Sequence, residues 1–328
     1  MNSDNDKIMM DTMYWWGIPT LFRCKNDNNI DNCDIALVGV PHSSGNGTTE
    51  RDQHLGPRAV RHVSAGLRRV HLEFGINPWE KSIINDLGDV PLPEANNNEK
   101  CIEEITNYFS VIAKKGKKVV SIGGDHSITG GIIQGLSSKD SRLTNGKKIN
   151  LIQFDAHTDT YDQLEHFLGA KKSAAHWASY LAKQGNVDAV HSTQIGIRGN
   201  PRTLDWLKPS YDLGYQVITM NDYKKIKSDK CIEMILNKLD DKPIYITFDL
   251  DCLDPTVAPG VANIESAFRG FNMDEVRKLI QSLKGKNVIG GDVACLMPTK
   301  DSPNQITSMV ASAIMFEIIS LISVNLNK

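Results

Sequence analysis

The chain has 328 residues, 40% of them hydrophobic, and a formal net charge of −2. That is ample apolar material for a large α/β core, and the near balance of charge removes any bulk electrostatic case for nucleic acid or an anionic membrane surface. No apolar run reaches the length of a membrane span, so no transmembrane helix is expected, and the six cysteines (Cys24, Cys33, Cys101, Cys231, Cys252 and Cys295) are scattered without a C-x-x-C pair, as in a reduced cytoplasmic protein rather than a disulfide frame or a thiolate zinc site.

The start, Met1-Asn2-Ser3-Asp4-Asn5-Asp6-Lys7, is polar and acidic and lacks the layout of a signal peptide. Residues 1–33, which include Tyr14-Trp15-Trp16-Gly17-Ile18-Pro19, read as an N-terminal arm packed on a single domain of residues 34–328. Within that domain strand-like runs fall at 34–40, 82–85, 117–122, 149–154, 193–197, 215–219, 243–249 and 286–292. Amphipathic helical stretches lie between them: one opened by Pro57, one from Cys101 to Lys114, one from Cys231 to Leu239, and a last from about Asn304 to Val324 behind Ser302-Pro303. Such alternation argues for an α/β fold with a mostly parallel sheet of about eight strands, covered on both sides.

Three of these strands end in chemistry-bearing residues. The run Val119-Val120-Ser121-Ile122 leads to Gly123-Gly124-Asp125-His126-Ser127, where Gly-Gly allows a sharp turn. The second strand leads to Phe154-Asp155-Ala156-His157-Thr158-Asp159, and the third to Phe248-Asp249-Leu250-Asp251. On an extended strand alternate residues share a face, which puts Asp155, His157 and Asp159 together, and Asp249 with Asp251. Open α/β sheets place ligands at the carboxyl ends of their strands. Carboxylates crowded at such an edge coexist only around positive charge, and bound metal is the economical source. Taken singly, a D-x-D is usually a cap or a solvated loop pair, and a His after Gly-Gly a structural hydrogen bonder. The three together, at strand ends of one chain, fit that bland reading poorly. Four Asp and two neutral His balance two divalent ions, and imidazole with carboxylate but no thiolate suits Mn²⁺ or Ni²⁺, with Co²⁺ or Zn²⁺ as neighbours.

These three motifs, with Asp254-Pro255 after the third, resemble the signature motifs of the ureohydrolases, the family of arginase and agmatinase. The likeness runs from Asp34 to the final helix and takes in Gly39-Val40-Pro41 and Gly56-Pro57-Arg58. The resemblance implies a three-layer αβα fold, two metal ions per chain, a small cationic guanidino substrate, hydrolysis to urea plus an amine or ammonia, and a homo-oligomer, trimer or hexamer. By the same resemblance His126 and Asp159 hold one ion, His157 and Asp251 the other, and Asp155 and Asp249 bridge. Asp251 then passes a proton to the leaving nitrogen, and His176 in Ala174-Ala175-His176-Trp177 is the shuttling histidine, against the plain alternative of a buried helix histidine.

The pattern also departs from the family. Cys295, in Asp292-Val293-Ala294-Cys295-Leu296-Met297-Pro298, stands where arginase and agmatinase carry a Glu that pairs with the guanidinium. A thiol cannot make that charge-assisted contact. Glu265, in the loop after the third motif, is a candidate replacement, if it is not simply a solvated acid. The first loop, His42 to Arg51, and the loop after Asp159 lack the side chains with which arginase reads an α-amino acid, so arginine is discounted. Trp15, Trp16 and Phe22 are candidates for a pocket wall, with core packing or an oligomer contact as the alternative. The expectation is a guanidine hydrolase acting on free guanidine. Agmatinase or guanidino-acid hydrolase is the alternative, and a catalytically silent partner subunit a further one. The one-metal deacetylases that share this fold lack the second ligand set.

Overall fold

Along Ile35–Val40, Ile35 and Leu37 enter one hydrophobic core, while Ala36, Val38 and Val40 enter another. Such two-faced burial belongs to a strand covered on both sides. The structure, a computed structural model, describes residues 17–46, 50–162, 164, 170–265 and 269–326. Its strands are β1 (Lys25–Asn26), β2 (Ile35–Val40), β3 (Ile84–Asp89), β4 (Lys118–Gly123), β5 (Asn150–Phe154), β6 (Thr193–Ile197), β7 (Gln216–Thr219), β8 (Ile244–Asp249) and β9 (Val288–Ala294). They form one sheet in the order β1-β3-β2-β4-β9-β8-β5-β6-β7, and every pairing is parallel. The eight predicted strands are all present. The ninth, β1, is a two-residue edge strand inside the segment read as an arm, too short to show alternation. Leu21 and Phe22 just before it are buried.

The helices are α1 (Gly56–Ser64), α2 (Pro78–Lys81), α3 (Asn98–Lys114), α4 (Ile128–Leu136), α5 (Trp177–Gln184), α6 (Lys208–Leu213), α7 (Met220–Lys238), α8 (Met273–Gln281) and α9 (Ile306–Asn325). Side chains of α1, α7, α8 and α9 fill the core on one face of the sheet, and those of α3, α4 and α5 fill the other. This is the three-layer αβα arrangement. α7 is broken at Lys227 (φ 65°): its second part starts close to the predicted Cys231, and a first part, missed from sequence, is capped by Thr219, which accepts from the Asp222 N–H at 3.1 Å. Contrary to the expectation from the sequence, α9 is long and apolar enough to cross a membrane, but 78% of its apolar stretch is buried inside the protein. It is the central helix of one layer, and Glu317 within it accepts from His71, Arg277 and Gln281.

Because every strand is parallel, all nine carboxyl ends meet one edge of the sheet. β9 lies between β4 and β8, and β8 lies beside β5. The residues that follow β4, β5, β8 and β9 are therefore neighbours at that edge, although they are far apart in sequence.

Candidate functional site

His126, two residues beyond the end of β4's Gly-Gly turn, is fully buried at the centre of the edge. Its Nδ1 lies 3.0 Å from Asp155 Oδ2, 3.0 Å from Asp159 Oδ2 and 3.2 Å from Asp249 Oδ2. None of these oxygens is in line for a hydrogen bond with that nitrogen. On its other side, Nε2 is 2.8 Å from Thr247 Oγ1. Thr247 donates its single proton to Asp292 at 2.8 Å, and Asp292 also accepts from Tyr245 Oη at 2.8 Å and Thr129 Oγ1 at 3.0 Å. Thr247 can then only accept from the ring, which fixes the Nε2–H tautomer and turns the Nδ1 lone pair towards three carboxylates.

That arrangement requires positive charge at Nδ1. Burial opposes a charged ring, yet Asp155, Asp159 and Asp249 outweigh it and hold His126 well above the usual imidazole range. Burial and the nearby Asp155 push Asp159 up to about 7, and burial with Asp251 and Asp155 pushes Asp249 up to about 7. The carboxylates thus resist being charged together, as expected when two unit charges 4 Å apart repel by about 4 kcal/mol at an effective dielectric of 20. A divalent ion relieves all of this at once. Ligand atoms about 2.1 Å from one octahedral ion stand about 3.0 Å apart, and the spacings around Nδ1 match that edge. The residues present therefore fit a metal ion.

A second group adjoins the first and shares Asp155 with it: Asp155, His157 and Asp251. His157 Nδ1 lies 3.5 Å from Asp155 Oδ1 and 3.2 Å from Asp251 Oδ2, and its Nε2 is 3.2 Å from Glu265 Oε1. Asp251 Oδ1 accepts the Ala156 N–H at 3.1 Å, and Asp249 Oδ1 accepts the Asp251 N–H at 2.9 Å, which locks the ends of β5 and β8 together. Asp159 is further held by the indole N–H of Trp177, which donates to its Oδ2 at 2.6 Å. Both groups open into a cleft of about 790 Å³ whose wall includes Tyr161, Arg202, Trp206, Glu265 and Cys295. Contact with His157 holds the Glu265 carboxyl below its usual range, so it stays ionised in the cleft. Burial, with Asp249 and Asp251 nearby, pushes the Cys295 thiol well up and keeps it neutral. A third Asp–His group, Asp188–His191–Asp240, is already neutralised by Lys242, 3.0 Å from Asp188 and in contact with Asp240.

The family model for the Arginase family matches residues 33–320. The chain belongs to the arginase family. It is 31% identical over 306 residues to the mitochondrial guanidino acid hydrolase of Homo sapiens, covering 92% of this chain and 82% of that one. It is 29% identical over 307 residues to the mitochondrial agmatinase of Gallus gallus, covering 93% and 86%. Among solved structures, the proclavaminate amidino hydrolase of Streptomyces clavuligerus superposes with a TM-score of 0.85 at 24% identity, covering 95% of this chain and 99% of that one, and shares the fold. As an arginase-family member the protein is a hydrolase of C–N bonds in guanidino groups.

In this arginase-family chain the structure brings together His126, Asp155, His157, Asp159, Asp249 and Asp251, with Glu265 and Cys295 in the same cleft wall. It does so by another route than strand alternation. β5 ends at Phe154, so Asp155, His157 and Asp159 lie in a turn, with Asp159 at φ 51°, and Asp251 lies in a 3₁₀ turn after β8. The chain bends after Gly123 as expected, without a positive φ at either glycine. A side chain at Gly124 would collide with the His42 carbonyl, so close approach is what excludes one. His176 follows the wall residues Ala174 and Ala175, and both its ring nitrogens have partners: Nδ1 meets Ser173 Oγ at 2.7 Å and Nε2 meets the Leu164 carbonyl at 2.9 Å. Phe22 packs against Trp79 in the core, 5.8 Å between ring centroids, and not in the cleft; Trp15 and Trp16 lie outside the described residues. The network beneath His126, and Trp177, Tyr161, Trp206 and Arg202, were missed from sequence. They carry no motif, and only the fold brings them to the edge.

Proposed function

We propose that the protein hydrolyses a guanidino compound bearing a tail, releasing urea and the corresponding amine, with two divalent ions, Mn²⁺ or Ni²⁺, held at the sheet edge. The observation that carries this reading is the pair of Asp–His groups that share Asp155 at the floor of the cleft. His126 and Asp159 would hold one ion, His157 and Asp251 the other, with Asp155 and Asp249 between them. Bound there, the ions supply Lewis acidity and an activated water. The chain's own residues do the rest. Glu265, ionised and facing the cleft, pairs with the planar guanidinium where Cys295 cannot. Asp251, fixed by the Ala156 N–H at 3.1 Å, is placed to take a proton and deliver it to the leaving nitrogen. The tail distinguishes this reading from free guanidine: guanidine has four heavy atoms, and a cleft of about 790 Å³ leaves room for far more. The relatives named guanidino acid hydrolase and agmatinase support it as well. Six free, buried cysteines support a reducing, cytoplasmic setting. Assembly as a homo-oligomer rests on the family resemblance alone.

The test is urea release across guanidine, methylguanidine, agmatine, 4-guanidinobutyrate and arginine, with metal content measured on the same material. Asp249→Asn removes a carboxylate 3.2 Å from His126 Nδ1, and both metal content and activity should fall, the latter by about 100-fold or more. Near-normal turnover in that variant, or no urea from any compound with metal fully loaded, counts against the reading.

A further inference from the structure

The mouth of the cleft differs in charge from its floor. The described wall carries the carboxylates of Asp125, Asp159, Asp249 and Glu265, and Arg202 is the only guanidinium or ammonium among those residues. Arg202 follows Gly199 and Asn200 at the end of β6, and the Gly199 backbone is packed directly against the Glu265 carboxylate. The Arg202 guanidinium lies over the Trp206 ring, 5.9 Å from its centroid. Trp206 in turn stacks on Tyr161, 4.6 Å between centroids at 26°. The Tyr161 hydroxyl accepts the Thr158 N–H at 3.1 Å, next to the metal-facing Asp159. A continuous run of contacts therefore ties an exposed arginine to the floor. A guanidinium resting on an indole is held in place while its N–H donors remain for a ligand, and a planar fork of donors matches a carboxylate.

Resting on the reading of the floor as a guanidino-hydrolysing centre, we infer that the tail of the substrate is anionic and that Arg202 is the specificity-determining residue that reads it. The substrate class is a linear guanidino acid. Its cationic head is drawn to the carboxylate floor and its carboxylate to Arg202, so the charge of the cleft sets the direction of entry. Agmatine has nearly the same length but ends in an ammonium, which Arg202 repels.

The experiment compares 4-guanidinobutyrate, agmatine and guanidine in steady-state urea release by the metal-loaded full chain, in wild type, Arg202→Gln and Arg202→Glu. Losing a charge-assisted pair should raise KM for guanidinobutyrate about tenfold in Arg202→Gln with kcat nearly unchanged. KM for agmatine should hold or fall, and Arg202→Glu should invert the preference between the two. Guanidine, which has no tail, should respond to neither change. A guanidinobutyrate-to-agmatine ratio of kcat/KM that stays constant in both variants overturns the inference while leaving the hydrolase intact, and so does a wild type that prefers agmatine. Failure of metal-loaded wild type on these three and on methylguanidine and arginine refutes the hydrolytic reading itself, and the inference with it. That result is told apart because it does not depend on Arg202.

Discussion

Thr247 is the part of the site whose removal is most informative, because it touches neither substrate nor the cleft. Its hydroxyl accepts from His126 Nε2 at 2.8 Å and donates to Asp292 at 2.8 Å, all within fully buried surroundings. Thr247→Val keeps the branched shape and deletes both roles. The His126 N–H is then left without an acceptor, at about 1–3 kcal/mol. Asp292 keeps Tyr245 at 2.8 Å and Thr129 at 3.0 Å, so its loss is smaller, about 1 kcal/mol. The variant should therefore lose about 2–4 kcal/mol of stability. The ring also loses the bond that fixes its tautomer, and metal affinity should fall by about 10–100-fold. Denaturant unfolding of chelator-treated protein measures the first quantity, and metal competition against a chromophoric chelator measures the second. Thr247→Ser, which keeps the hydroxyl, should restore most of the affinity. If Thr247→Val binds metal as tightly as wild type, the orientation argument is wrong, and His126 is positioned by packing against Trp177, 4.9 Å between ring centroids, instead.

Other expectations follow from single contacts. Gly199 sits at φ +94°, and an added Cβ would overlap the Glu265 carboxylate, so Gly199→Ala should cost about 1–3 kcal/mol of stability and lower kcat/KM by about tenfold; unchanged kcat/KM would remove Glu265 from substrate binding. Cys295 is buried and its thiol is held well above its ordinary range, so Cys295→Ser should leave kcat/KM within about threefold, and native protein should resist thiol alkylation at neutral pH. A large loss of activity in that variant would show that sulfur meets the substrate. Arg61 donates to the buried Asp86 through Nε at 2.9 Å and Nη2 at 3.0 Å, and Arg61→Met should destabilise by about 3–5 kcal/mol by stranding that carboxylate. Burial would raise the Asp86 carboxyl, but Arg61 outweighs it and holds it below its usual value. The pair therefore stabilises wild type above the ordinary carboxylate pKa and is lost as pH falls through the lowered value. A chemical-denaturation series from pH 7 to pH 3 should show this acid loss in wild type and not in the variant.

Much of this was legible in the chain, for reasons of local chemistry. Apolar runs such as Ile35–Val40 and Ile244–Asp249 can only be buried strands, and their alternation with amphipathic helices leaves a parallel sheet as the economical fold. The six residues that meet at the sheet edge were legible because three Asp- and His-bearing strand ends in one chain fit caps and loop pairs poorly, although each alone would fit one. β1 was not legible, because two residues carry no period. The apolar length of α9 was underestimated because Thr307, Ser308, Ser312, Glu317, Ser320 and Ser323 interrupt its run, although the helix as a whole is long and apolar enough to span a membrane.

The sequence by itself determined which side chains hold charge and at which strand ends they emerge, because both follow from residue type and local periodicity. The tertiary structure alone decided that β9 brings Cys295 beside Asp249, that Thr247 and Asp292 set the tautomer of His126, that His176 turns towards Ser173 and Leu164, and that Arg202 reaches the mouth across Trp206 and Tyr161. The His176–Ser173 and Arg202–Trp206 contacts are local, but the others join residues from different strands or loops. Their meeting is fixed by the order in which parallel strands pair, which no local pattern in the chain encodes.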